Sequence, residues 1–379
     1  MTAEELRPFA DAEVAEVIER LLTDDALPGF LADFESPRLN ALAPSLMRYL
    51  TRRRLRGILG SVRTIRDFQQ IVEGYVQRLV DTTMTEFVAD GVERVSDSRP
   101  HVFVSNHRDI AGDSMLLNFA LHRAGLDTVR IAVGDNLVQM PFATDLMKLN
   151  KSFFIKRSGE TRRQVYESLL ETSRYINDSV ASGHSVWIAQ AGGRAKDGID
   201  RTDPAVIKML TLAAGKRGFN DALAGLSIVP VSLSYEIDPC DSLKAAELAS
   251  RAKGGDYVKK PGEDLLSLAR GLTGKKGRVH LCIGDDIGAG HESPEAVALC
   301  LDRAIMGRLQ LFPVNYDAAR RVAAMDPGSD FATLDLPPAS DSPLDERLAG
   351  CADDAAPYLL RMYANPVLQR HRLGLPIVQ

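Results

Sequence analysis

A chain of 379 residues with 45% hydrophobic side chains has the apolar content for a large core and the length for roughly two or three structural units, which excludes a chain disordered by composition. Charged residues make up 26% and the net charge is only −5, so a strongly basic nucleic-acid binder is excluded as well. Four cysteines, Cys240, Cys282, Cys300 and Cys351, are scattered without a close pair, which excludes a zinc ribbon or a small disulfide scaffold and fits a reducing cytosol.

The start, Met1 to Leu6, is acidic and lacks the charged-then-apolar pattern of a secretory signal. No run approaches the roughly 18 uninterrupted apolar residues of a membrane-spanning helix. The expectation is a cytoplasmic protein that meets lipid, where it does so, peripherally on the inner face of the membrane. Residues 1–95 read as a helical cap, with Val14, Ile18, Leu21 and Leu22 at helical spacing. Within it, Ser36 to Arg66 carries Arg38, Arg48, Arg52, Arg53, Arg54, Arg56, Arg63 and Arg66 with no acidic residue between them. Apolar Leu46, Met47, Leu50, Leu55, Ile58, Leu59, Val62 and Ile65 are interleaved. A basic amphipathic helix of this kind suits an anionic membrane surface, at about 1 kcal/mol for each arginine near it. An acidic carrier protein, a solvated face or internal acidic partners would use the same residues.

From 96 to 290 short apolar runs alternate with helical stretches. Strands are expected at His101–Ser105, Val129–Val133, Ser152–Lys156, Val186–Ala189, Ile228–Ser234 and Val279–Ile283, with a helix over Thr161–Ala181. This alternation predicts an α/β fold with a mixed, mostly parallel sheet flanked by helices. Residues 291–379 read as a helical C-terminal extension. Pro294 suits a helix start, Ala296–Leu311 forms an apolar stripe, and Pro327–Pro343 is a loop before a last helical segment.

The chemistry concentrates in Ser105 to Ser114, which follows a predicted strand and leads into a predicted helix. His107 there can accept a hydroxyl proton near neutral pH, and a carboxylate can hold its tautomer; Asp113 and Asp109 are the two candidates. Downstream, Phe153-Phe154-Ile155-Lys156-Arg157 is an apolar strand with a basic end, and Arg157 offers a planar donor fork to a phosphate. After a further strand, Gln190-Ala191-Gly192-Gly193-Arg194-Ala195-Lys196 joins backbone amides that a ligand can approach to two cations. Ile228-Val229-Pro230-Val231-Ser232 closes the series with a proline inside an apolar strand.

These four blocks, in this order from 105 to 232, resemble those of the glycerolipid acyltransferase family, which includes the glycerol-3-phosphate and 1-acylglycerol-3-phosphate acyltransferases. Two departures stand out. Five residues separate His107 from Asp113, one more than is usual in that family, so the helix must start later or the junction must bulge. The family's glutamate of the third block is absent, with Ala191 or Gly192 in its place and Gln190 beside it. The resemblance implies an O-acyltransferase of phospholipid synthesis, with acyl-CoA or acyl carrier protein as donor and glycerol 3-phosphate or a lysolipid as acceptor. By the same resemblance, His107 and Asp113 are catalytic and Lys156, Arg157, Gly193, Arg194 and Lys196 bind substrate.

The scheme calls for no cofactor and no metal, since His101, His107 and His184 lack a tight ligand spacing. Two other classes compete with it. One is a metal-assisted phosphoester hydrolase built on His107, Asp109 and Asp113. The other is a noncatalytic lipid-binding protein with an acyltransferase-like fold.

Overall fold

The computed structural model describes residues 7–96, 98–135, 140–156, 161–215, 217–254, 257 and 262–378. The chain opens with α1 (Asp11–Thr23), α2 (Ala26–Glu35), α3 (Pro37–Leu42), α4 (Pro44–Leu59) and α5 (Ile65–Thr83). Next come β1 (Met84–Asp90), β2 (Val102–Ser105), α6 (Gly112–Arg123), β3 (Arg130–Gly134), α7 (Pro141–Leu149) and β4 (Ser152–Ile155). They are followed by α8 (Arg162–Ala181), β5 (Val186–Ala189), α9 (Pro204–Thr211), α10 (Phe219–Leu226) and β6 (Ile228–Tyr235). The last elements are α11 (Asp241–Ala252), α12 (Glu263–Thr273), β7 (Gly277–Ile283), α13 (Pro294–Arg308), α14 (Pro313–Met325), α15 (Leu344–Ala349) and α16 (Ala356–Arg372). Contacts group them into two compact units, Met1–Arg78 with Val129–Thr172, and Leu79–Thr128 with Ser173–Gln379.

In the first unit, α1 buries Val14, Val17, Ile18 and Leu21 against Leu55 and Leu59 of α4 and Phe142 of α7. Arg20 reaches Asp145 through two hydrogen bonds of 2.8 Å each, tying α1 to α7. The pair β3 and β4 is parallel, with Ile131 opposite Ser152. The arginine-rich stretch divides along its length. Leu55, Leu59, Val62 and Ile65 join the core, whereas Leu39, Leu42, Leu46, Tyr49 and Leu50 stay exposed, Leu42 by 82%. Arg52 is paired with Asp25 at 2.7 Å, while Arg38, Arg48, Arg53 and Arg56 lie exposed.

The second unit holds the mixed, mostly parallel sheet, in the order β1-β7-β6-β2-β5. Pairing is parallel between β1 and β7, β2 and β6, and β2 and β5. Only β6 and β7 run antiparallel among these pairs. The central β2 is buried at every residue, as a short apolar run covered on both faces should be. Pro230 sits inside β6, opposite Val104. Its carbonyl accepts from Gly284 just beyond β7, so its missing N–H faces the end of the β6/β7 ladder, where a donor is least needed.

Strand β1 falls in the stretch expected to be helical. Its sequence, MTEFVAD, is only half-buried at a sheet edge, and so lacks the continuous apolar signal that marks the interior strands. Helix α13 starts at Pro294 with the Ser293 hydroxyl accepting from Ala296 at 3.2 Å, the N-cap chemistry that ends the preceding loop. The C-terminal helices form one core from Ala245 and Ala249 of α11 to Val367 of α16, through Met306, Val314 and Ala318.

A buried ion pair pins these helices together. Asp241, fully buried at the start of α11, accepts from Arg347 at 2.7 and 2.6 Å and from the Tyr363 hydroxyl at 2.8 Å. Arg347→Met leaves that carboxylate only neutral donors, the Tyr363 hydroxyl and the Ser242 amide, and removing one partner of a buried pair typically costs about 3 kcal/mol or more. Urea denaturation is expected to show a loss of about that size; a change below about 1 kcal/mol would mean that water replaces the guanidinium.

Candidate active site

The site is built where β2 ends and α6 begins. Asn106, fully buried, donates to the Leu233 carbonyl at 2.9 Å and accepts from the Leu233 amide at 2.8 Å. It thereby continues the β2/β6 ladder with a side chain after β2 has ended. That clamp delivers His107 to the mouth of the junction. Asp109 turns the backbone, accepting from the amides of Ala111 and Gly112 at 3.1 and 2.7 Å. Its carboxylate lies so close to Gly271 of α12 that a Cβ there would stand 2.1 Å from an oxygen. Burial and the neighbouring Asp113 charge push the Asp109 carboxyl up.

Helix α6 begins at Gly112, and Asp113 in its first turn reaches back across the junction. His107 Nδ1 stands 2.8 Å from Asp113 Oδ2. The same oxygen accepts from the amides of Arg108 at 2.7 Å and Asp109 at 3.0 Å. The other oxygen accepts from the Tyr235 hydroxyl at 2.9 Å. The longer His-to-Asp spacing is absorbed by the turn that Asp109 caps, and of the two candidate carboxylates it is Asp113 that meets the imidazole. A carboxylate only accepts, so His107 Nδ1 carries the proton and Nε2 keeps its lone pair. The ring lies edge-on to Trp187, with centroids 6.0 Å apart, and its side chain keeps 17% exposure.

Behind this pair stands a second layer of charge. The Arg108 guanidinium is ion-paired with buried Asp200. Lys244 Nζ donates to the Arg108 carbonyl at 2.7 Å and pairs with Asp238. Burial works against the charged forms of Arg108 and Asp238, yet their partners prevail: Arg108 is held up by Asp200, and Asp238 is held down by Lys244. Burial and then the Asp113 charge push the Tyr235 phenol well above its ordinary range, so it remains a donor. Tyr235, Arg108, Asp200 and Lys244 were not singled out from the sequence. Tyr235 had a usable signal, since it ends the strand beside β2 and strand ends of an α/β sheet converge on the site.

The Gly-rich loop after β5 approaches the same junction. The Ala195 amide donates to the His107 carbonyl at 2.9 Å, and the Gln190 amide to the Ser105 carbonyl at 2.8 Å. Gln190 is buried, its side chain accepting from the Thr202 hydroxyl at 3.4 Å. Gly193 is exposed, and a Cβ there would meet nothing within 4 Å. Among the described residues, Arg194 Nη1 is buried without a hydrogen-bond partner. Lys196 is ion-paired with Glu247, which also takes Arg251 at 2.7 Å. Burial pulls the Lys196 ammonium down despite that pairing. Lys156 is exposed just after β4 in the first unit, and Arg157 lies outside the described residues. Among the described residues, no group of three or more His, Cys, Asp or Glu side chains is placed to hold a metal ion.

The strand-to-helix junction presents a carboxylate-held histidine beside a basic, glycine-rich loop, an arrangement that can take a proton from a hydroxyl. Residues 86–234 match the family described as Acyltransferase. Glycerol-3-phosphate acyltransferases of Pseudomonas paraeruginosa and Pseudomonas aeruginosa are each 25% identical to this chain over 223 residues, 59% of its length. The chain spans about a quarter of the length of these relatives, 25% in each case. Among solved structures, the 1-acyl-sn-glycerophosphate acyltransferase of Thermotoga maritima is similar at 15% identity and a TM-score of 0.40, covering 64% of this chain and 78% of that one.

Tyr235→Phe removes one of the four donors to buried Asp113. The expected cost is about 1–3 kcal/mol in urea or thermal unfolding. An unchanged midpoint would show that Asp113 Oδ1 finds another donor.

Proposed function

We propose that this protein transfers a fatty acyl group from a thioester, acyl-CoA or acyl carrier protein, to a hydroxyl of glycerol 3-phosphate or a lysophospholipid in phospholipid synthesis. The single observation that carries the reading is the 2.8 Å contact of His107 Nδ1 with Asp113, which leaves Nε2 as the proton acceptor at the exposed edge of the junction. The acceptor hydroxyl gives its proton to Nε2 as its oxygen attacks the thioester carbonyl. The tetrahedral intermediate collapses with loss of the C–S bond, and the imidazolium proton passes to the departing sulfur. A thiol pKa of about 8.5 makes that departure easier than the loss of an alkoxide. Asp113 holds the imidazolium without taking its proton.

Backbone amides of the Gly192-Gly193 turn are the proposed oxyanion donors. Arg194 is the strongest candidate for the acceptor phosphate, because it has a buried guanidinium nitrogen with no partner among the described residues and its planar donor fork suits a phosphate. Lys196, paired with Glu247, contributes less net charge there. Lys156 and Arg157 are the other substrate-binding candidates that the sequence resemblance offers. The occupied oxygens of Asp113 and the capping role of Asp109 speak against the metal-assisted hydrolase.

Incubating the protein with labelled palmitoyl-CoA or palmitoyl carrier protein and a panel of glycerol 3-phosphate and lysolipids tests the reading. His107→Ala is expected to lower acyl transfer by at least about 10²-fold. No transfer by the wild type from either donor would leave the noncatalytic lipid binder.

The membrane side of the proposal rests on α3 and the first half of α4, where Leu39, Leu42, Leu46, Tyr49 and Leu50 are exposed beside Arg38, Arg48 and Arg53. No described helix is long and apolar enough to cross a membrane. An anionic surface matches both the apolar and the basic side chains of this stretch. Leu42→Asp with Leu46→Asp is expected to weaken cosedimentation with phosphatidylglycerol vesicles at least about tenfold; unchanged binding would reject this surface.

A further inference from the structure

The match to the acyltransferase family ends at residue 234, yet α16, more than a hundred residues later in the chain, grips the loop that carries Gly193, Arg194 and Lys196. Gln369 accepts from the Asp200 amide at 2.9 Å, and its own amide donates to the Asp200 carbonyl. One side chain thus takes both backbone groups of a single residue, as a neighbouring strand would. One helical turn earlier, Asn365 donates to the Asp197 carbonyl at 2.7 Å. Between these two, Gly198, at φ +79°, packs on the helix so closely that a Cβ would stand 2.0 Å from the Met362 carbonyl oxygen. That carbonyl would ordinarily accept the N–H of the residue four places on, which is Pro366 and has none. The proline therefore keeps the Met362 carbonyl open where the glycine approaches.

The gripped segment is joined in turn to the catalytic junction. Asp200, whose backbone Gln369 holds, is ion-paired through its carboxylate with Arg108, the residue after His107. The Ala195 amide, at the other end of the segment, donates to the His107 carbonyl. The loop has strong attachments at 195 and at 197–200, with Arg194 just outside them. Its Gly192-Gly193 turn has little conformational preference of its own, so the anchors C-terminal to it decide where the Arg194 guanidinium stands relative to His107.

We propose that Asn365 and Gln369 are positioning residues: by holding Asp197 and Asp200 they keep the basic loop in register with His107 and so set the affinity for the phosphate of the acceptor. The role in acceptor binding rests on the acyltransferase reading above, whereas the hold on the loop does not. The two side chains touch no reacting atom, so their loss should weaken acceptor binding more than it slows chemistry. A misplacement of about 1 Å at a binding group readily costs tenfold or more.

The test uses the full chain with Asn365→Ala and Gln369→Met combined, the methionine keeping the volume of the glutamine while removing both hydrogen bonds. Hydrogen exchange reads the loop without reference to activity, and calorimetry with glycerol 3-phosphate reads the acceptor site without turnover. The expected result is faster exchange of the amides at Ala195 and Asp200, binding of glycerol 3-phosphate weaker by about tenfold, and KM for the acceptor raised to match. At saturating acceptor, kcat should stay within about twofold, and KM for palmitoyl-CoA should not move. Gln369→Glu, which can accept from the Asp200 amide but repels its carbonyl, should give an intermediate loss. Unchanged exchange at Ala195 and Asp200 would overturn the hold on the loop. Faster exchange with unchanged acceptor affinity would overturn the functional half of the proposal. Failure of the wild type to bind glycerol 3-phosphate or to transfer to any acceptor would instead sink the acyltransferase reading, with the exchange result still deciding the hold.

Discussion

One buried carboxylate organises this molecule. Asp113 has no exposure to solvent and must find in the protein the donors it would otherwise find in water. It draws them from three directions: the His107 ring, two successive backbone amides, and the Tyr235 hydroxyl from another strand. Each donor constrains a different part of the fold. The amides require the junction to turn tightly, the phenol requires β6 to run beside β2, and the imidazole is left with a single orientation and a single tautomer. The junction is rigid because a buried anion has to be solvated by the protein.

The cations around that anion follow the same logic at longer range. Arg108 is paired with Asp200, Lys244 with Asp238, and Lys196 with Glu247, so most of the charge near the junction is internally balanced. Arg194 differs, with a buried guanidinium nitrogen that lacks a partner among the described residues. Buried donors are rarely left unmatched unless a ligand or water completes them. The contrast between paired Lys196 and incompletely paired Arg194, two residues apart on one loop, separates a cation neutralised within the fold from one with a donor left over. No count of basic residues makes that distinction.

The helices after the sheet belong to the same arrangement. They form a core of their own, fixed to the start of α11 through Asp241, Arg347 and Tyr363. Tyr363 also accepts from the amide of Asp238 at 3.1 Å, which ties the C-terminal core to a member of the ion pair that supports Arg108. A helical extension that reads as an appendage in the sequence is therefore continuous, through hydrogen bonds, with the backbone on either side of His107.

Interior strands were legible in the sequence because burial on both faces demands continuous apolar runs: Val186–Ala189 is a strand with those bounds, and the Ile228 run extends only to Tyr235. Helix α13 announced itself through Pro294 and the apolar stripe behind it. The edge strand β1 did not, since a half-exposed strand carries no such run. The sequence by itself determined the α/β class, the junction that bears His107 and the concentration of cations after β5, because periodicity and turn chemistry are local properties of the chain. Only the tertiary structure decided that Asp113 rather than Asp109 meets the imidazole, that Tyr235 completes the carboxylate, and that Gln369 holds Asp200. Those choices depend on which distant backbone and side-chain groups must satisfy one another once water has been excluded, and no local pattern encodes that pairing.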